Sequence, residues 1–127
     1  MSWDRAVVAD ALAAAFAAVT DVKVHTRPPE LLNPMCVVVG RPQPVTYDQF
    51  AFGVDEASLP VIVAGGAETE DAVEALKNLC RQAVAKDPTL GGVVAACTAA
   101  EERNWRNLTG AGGIQLLLVE LILTIRM

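Results

Sequence analysis

Few residues in this sequence have the types and spacings that perform chemistry. His25 is the single histidine and lies in Asp21 to Thr26 (DVKVHT), beside Val24, with no Ser or Cys close by in sequence to activate. A nucleophilic site needs its base held by a third group, so this residue reads as a structural or surface histidine. The three cysteines, Cys36, Cys80 and Cys97, stand in apolar surroundings and show neither CxxC nor Cys/His ligand spacing. They read as reduced core thiols of an intracellular protein, with a reactive thiol as the lesser alternative. The acids Glu68, Glu70, Asp71 and Glu74 crowd one stretch, but hard-cation loops alternate their ligands around a glycine turn, and a solvated helix start accounts for these. Gly110-Ala111-Gly112-Gly113 precedes an apolar strand and lacks a following Lys-Ser/Thr, so it reads as a hairpin turn and not as a phosphate loop. Asn107-Leu108-Thr109 matches a glycosylation sequon by chance, since nothing indicates secretion. No catalytic, metal or cofactor site is expected, and hence no enzyme.

The remaining candidates are contact residues. Trp105 lies between Asn104 and Arg106 on a polar stretch with Arg103, where an aromatic beside cations is a common interface anchor. Its ring folding back onto the domain is the alternative. Glu101 and Glu102 with Arg103 and Arg106 read equally as a salt-bridged hairpin or as a partner contact. Tyr47, Phe50 and Phe52 fall in a stretch without clear periodicity, which either packs within the subunit or becomes ordered against a partner.

Composition bounds what can hold these residues. The 127 residues are 53% hydrophobic and 20% charged, enough for one self-sufficient core without disulfide or metal, spanning 1–127 as a single domain. A formal charge of −5 repels polyanions unless the few cations are gathered on one surface. Asp4 and Asp10 interrupt the Ala-rich N-terminus and no cationic region precedes it, so it reads as a helix and not as a signal sequence. The run Ile114 to Ile125 carries Glu120 and falls well short of the roughly twenty residues that span a bilayer. A soluble protein is expected.

The elements follow from periodicity. Ser2 and Asp4 are N-cap candidates for a helix ending near Thr20, with Val8, Leu12, Ala15, Phe16 and Val19 on one face. Val22 and Val24 mark a half-buried strand that Arg27-Pro28-Pro29 stops. Met35 to Val39 reads as an interior strand, and Leu59 to Ala64 as another, with Pro60 at an edge or a first strand position. A second helix starts in the acids from Glu68 and buries Val73, Leu76, Cys80, Ala83 and Val84. Val93 to Asn107 and Ile114 to Ile125 form a long hairpin whose tip projects beyond the sheet. The fold class is therefore α+β: a mixed, mostly antiparallel four- to five-stranded sheet, two main helices packed on one face, and a long C-terminal β-hairpin. Both faces of the last strand are apolar. Two helices cover one, so loops, the hairpin or another subunit must cover the other, and a homo-oligomer is expected.

This order of elements, with the Pro-rich segment Pro28 to Val39 (PPELLNPMCVVV), resembles the tail terminator and neck-protein family of siphophages over essentially the whole chain. The resemblance implies a structural virion subunit at the head-tail junction, assembled in the host cytoplasm. It would form a ring, typically hexameric, that caps the tail tube and contacts the tube protein and a head-completion or connector protein. DNA would pass through without specific binding, and no membrane would be involved. A head-completion or stopper protein is the related alternative, and a small oligomeric ligand-binding domain of ferredoxin-like build is the alternative of a different class. Interface residues are expected around Arg103, Trp105 and Arg106 and around Tyr47, Phe50 and Phe52.

Overall fold

The computed structural model describes residues 4–29, 34–42, 45–46, 55–66 and 70–127. Helix α1 spans Arg5–Ala17 and begins where the sequence indicates. The Asp4 carboxylate accepts hydrogen bonds from the backbone N–H of Ala6 at 3.1 Å and of Val7 at 3.4 Å, satisfying two of the helix's orphan donors. Val8, Ala9, Leu12 and Phe16 are buried, whereas Val19 lies past the helix end and is exposed. Helix α2, Glu70–Lys86, carries Glu70 and Asp71 in its first turn and Lys86 in its last, the signs the helix dipole favours. Its stripe of Val73, Leu76, Cys80, Ala83 and Val84 is buried as the spacing predicts.

Among the described residues six strands form one sheet: β1 (Lys23–His25), β2 (Cys36–Val39), β3 (Val45–Thr46), β4 (Glu56–Gly66), β5 (Ala96–Thr109) and β6 (Gln115–Arg126). Their order is β1-β2-β4-β6-β5, with β3 pairing β4 beyond the end of β2. The β1–β2 pair is parallel and the other ladders are antiparallel. Both β4 and β5 run antiparallel to β6, so α2 links two parallel strands with β6 slotted between them. The expected α+β architecture with a C-terminal hairpin is the one observed.

Both helices pack on one face of the sheet. Val8, Leu12 and Phe16 of α1 and Val73, Leu76 and Cys80 of α2 meet Val37, Val61, Val63, Val119, Leu121 and Leu123 in the main core. On the other face Cys36, Val38, Ala64, Leu116 and Leu118 form a smaller buried cluster, and Ile122 is buried as well. The second apolar face of β6 is thus enclosed within the chain. Of the coverings that the pattern left open, a neighbouring subunit is not required.

Two strand expectations need correction. Pro60 stands neither at an edge nor at a strand start, but inside β4, opposite Ile122 of β6. Its carbonyl accepts a hydrogen bond from the N–H of Gly40 at 2.8 Å. The N and C=O of one strand residue point to the same edge, so the missing proline N–H faces the gap between the end of β2 and the start of β3, where no ladder needs it. The hairpin, likewise, does not stand clear of the sheet. β6 is paired with β4 from Leu116 to Arg126, and only the turn and Gln115 pass beyond Gly66. The charge in β5 is that of an edge lying against solvent.

Candidate functional site

Arg103, Trp105 and Arg106, three of the residues singled out for contact, lie on β5, the edge strand beside β6. Cys97 anchors its start in the core, and from Ala100 onward nearly every residue is exposed. Register shifts between Ala99 and Glu101 and between Arg103 and Arg106 break the ladder, and Asn104 takes a positive φ of 59°. An inserted residue re-aims the side chains around it. Here it turns Trp105 toward α2, the helix side of the sheet, while Arg103 and Arg106 stay on the opposite side with Glu120.

On the helix side the anchor is Lys77, whose ammonium is almost fully buried under β5. It donates to Glu74 at 2.7 Å and to Glu102 at 2.6 Å. The Trp105 indole N–H donates to the other oxygen of Glu102 at 2.7 Å. Lys77 Nζ lies 6.0 Å from the centroid of the Trp105 ring, at the outer limit of a cation–π contact. Burial by itself pulls the Lys77 ammonium down, but the hydrogen bonds to Glu102 and Glu74 and their charges outweigh it and hold the group above its ordinary range. Glu102 is held below the usual carboxylate range, first by its hydrogen bond from Lys77 and then by that from Trp105.

On the opposite side Glu120 gathers the other charges. It accepts from Arg106 at 3.0 Å and from the Asn104 amide at 2.8 Å; Arg103 lies 4.0 Å from Glu120 and 3.8 Å from Glu101. The two readings of Trp105 are both partly realised: its ring folds back onto Glu102 and Lys77, and 36% of the residue remains exposed. Leu108 and Ile114, also exposed, flank the turn. Within that turn Gly112 and Gly113 take φ of 73° and 78°, conformations that favour glycine.

The chemistry-bearing residue types lie elsewhere. His25 is half-buried in β1 opposite Val38. Cys36, Cys80 and Cys97 are free and buried; burial pushes the Cys80 and Cys97 thiols up to about 12 and raises Cys36 as well, so none is a thiolate near neutrality. Among the described residues no group of three or more His, Cys, Asp or Glu could hold a metal ion, and no helix is long and apolar enough to cross a membrane. Tyr47, Phe50 and Phe52 lie outside the described residues.

No family model and no curated protein matches the sequence. Among solved structures the chain is similar to one described as the virion of a native gene transfer agent particle, with a TM-score of 0.43 and 14% identity over 91% of this chain and 82% of that one. At that score neither fold nor role passes from one to the other.

Two residues that periodicity and motifs did not single out, Lys77 and Glu120, organise the site. Each carried a signal. Lys77 occupies a position of the α2 stripe, four residues after Val73 and three before Cys80, where an apolar residue is expected. Glu120 interrupts an otherwise apolar strand. A charge in such a place needs a partner: Lys77 finds one three residues back at Glu74 and another on β5 at Glu102, and Glu120 finds Arg103 and Arg106 on β5.

Proposed function

We propose that this protein is a structural virion subunit that assembles with further copies of itself into a ring, capping the end of a phage tail tube and helping to join tail to head. The observation that carries this reading is the unlikeness of the two sheet edges. One edge is β5, fixed to α2 through Lys77 and presenting Trp105, Arg103 and Arg106. The other is β1, overlain by α1, whose solvent side is apolar at Ala6, Val7, Ala14 and Ala17 with Asp10 among them. A contact between two different surfaces of one chain is heterologous, and repeating it closes a ring where the rotation permits. The resemblance of the element order in the sequence to that of siphophage tail terminators supports the same assembly. The acidic balance suits a channel along which DNA slides without adhering.

Negative-stain imaging with a mass measurement tests it. Closed rings with a channel wide enough for duplex DNA are expected. A compact monomer or dimer at high micromolar concentration, with no assembly on a tail tube, would overturn the reading. Trp105→Ala and Val7→Asp, on the two edges, should each lower the ring fraction while leaving the fold intact by circular dichroism.

A further inference from the structure

One corner of the molecule gathers three arginines. Where β1 and β2 end and α1 begins, Arg5, Arg27, Pro28 and Arg41 line a concave site. Arg5 is half-buried and fixed, its Nη2 donating to the carbonyl of Thr26 at 2.8 Å and approaching those of Val39 at 3.3 Å and Gly40 at 3.4 Å. Arg27 and Arg41 are exposed beside it. The cations of the β5 edge and its surroundings are neutralised: Lys77 by Glu74 and Glu102, Arg103 and Arg106 by Glu120, Arg126 by Glu56. Among the described residues no ion pair joins Arg5, Arg27 or Arg41 to a carboxylate. The neighbouring acid, Asp4, is engaged with the first turn of α1.

We infer that this corner is a binding site for a phosphate group. Three like charges in one concavity repel one another unless an anion joins them, and a concave wall concentrates their field. A carboxylate is satisfied by one bidentate guanidinium, whereas the several oxygens of a phosphate accept from more than one fork at once. The chain's acidity disfavours polyanions only while its cations are scattered, and here three of them are gathered. The phosphate has two possible sources, a free phosphate or nucleotide and the backbone of a nucleic acid, and both present the same group. The site stands whether or not the ring forms.

The seven arginines allow the site to be read directly through their side-chain Nε–H signals in two-dimensional NMR. Titration with inorganic phosphate and, separately, with a short DNA duplex should shift the Arg5, Arg27 and Arg41 signals together and saturably. Arg81, exposed and outside any of the observed ion pairs, is the internal control. Response to phosphate alone identifies the free ion as the source. Response to the duplex identifies the backbone, and log K should then fall with log salt with a slope of about −1 for the one backbone phosphate the site takes. The double variant Arg27→Glu with Arg41→Glu, checked for an unchanged amide spectrum in the core, should abolish both responses. The inference is overturned if these signals shift no more than that of Arg81, if the double variant binds phosphate unchanged, or if poly-glutamate shifts them as strongly as phosphate does.

Discussion

Lys77 shows how a single charge is made tolerable inside a small domain. Its ammonium is buried and its two carboxylate partners are about half exposed, so the members of the cluster are not equivalent. Removing the lysine leaves two carboxylates that water can solvate, whereas removing both carboxylates leaves an unpaired buried cation. Lys77→Met should therefore cost about 1 kcal/mol or less, and Glu74→Gln with Glu102→Gln about 3 kcal/mol, measured by urea denaturation. The same pair sets a pH window. Glu102 is depressed in the folded state, so its contribution is complete above the ordinary carboxylate pKa and is lost as pH falls through the lower folded value. Lys77 is raised, so its contribution is complete below the ordinary ammonium pKa and is lost as pH rises through the higher folded value. The stability difference between the wild type and Lys77→Met should be level from about pH 5 to pH 10 and shrink below about pH 4. A difference that grows on acidification would contradict the sign.

Among the elements, β4 depends most on its neighbours. It accommodates Pro60 because the ladder beside it changes partner there, and that change depends on Gly40. A Cβ on Gly40 would lie 2.8 Å from both the Pro60 ring and its carbonyl oxygen, too close for either to remain in place. Gly40→Ala should cost about 2 kcal/mol by thermal or chemical denaturation, as overpacking does. At the other edge, β5 is protected from indiscriminate pairing by its register shifts and charges, the usual means of blunting a long exposed edge. A contact through β5 is then expected to use its side chains, Trp105 above all, more than its backbone. Trp105→Phe keeps an aromatic, though smaller, side chain and removes the N–H that donates to Glu102, so it should preserve assembly better than Trp105→Ala, measured as the ring fraction by sedimentation.

At the scale of the molecule, the expected reason for oligomerisation changed. The apolar second face of β6 is closed by the chain itself, so it supplies no surplus surface. What remains for association is the pair of unlike edges, with α1 apolar toward solvent at Val7, and Val19 exposed past its end, at one side and the Trp105 region at the other. A charge at Val7 should therefore disturb assembly more than one at Gln115, which is exposed beside the hairpin turn and away from both surfaces. Mass photometry of Val7→Asp and Gln115→Asp distinguishes them, and an equal effect of the two would move the contact elsewhere.

Periodicity alone determined much of this protein: both helices, the stripe of α2, the Asp4 cap, the buried strand at Cys36–Val39 and the glycine turn between β5 and β6. These depend on the local backbone and on which residues recur on one face, and both are written in neighbouring positions. The pairing of Lys77 with Glu102, the gathering of Arg103 and Arg106 around Glu120, the place of Pro60 and the meeting of Arg5, Arg27 and Arg41 were decided by tertiary structure. Each joins residues that only sheet order and helix docking bring together. The identity of a charged residue does not tell which partner will neutralise it, because that partner is selected by distance in space and by exclusion of water.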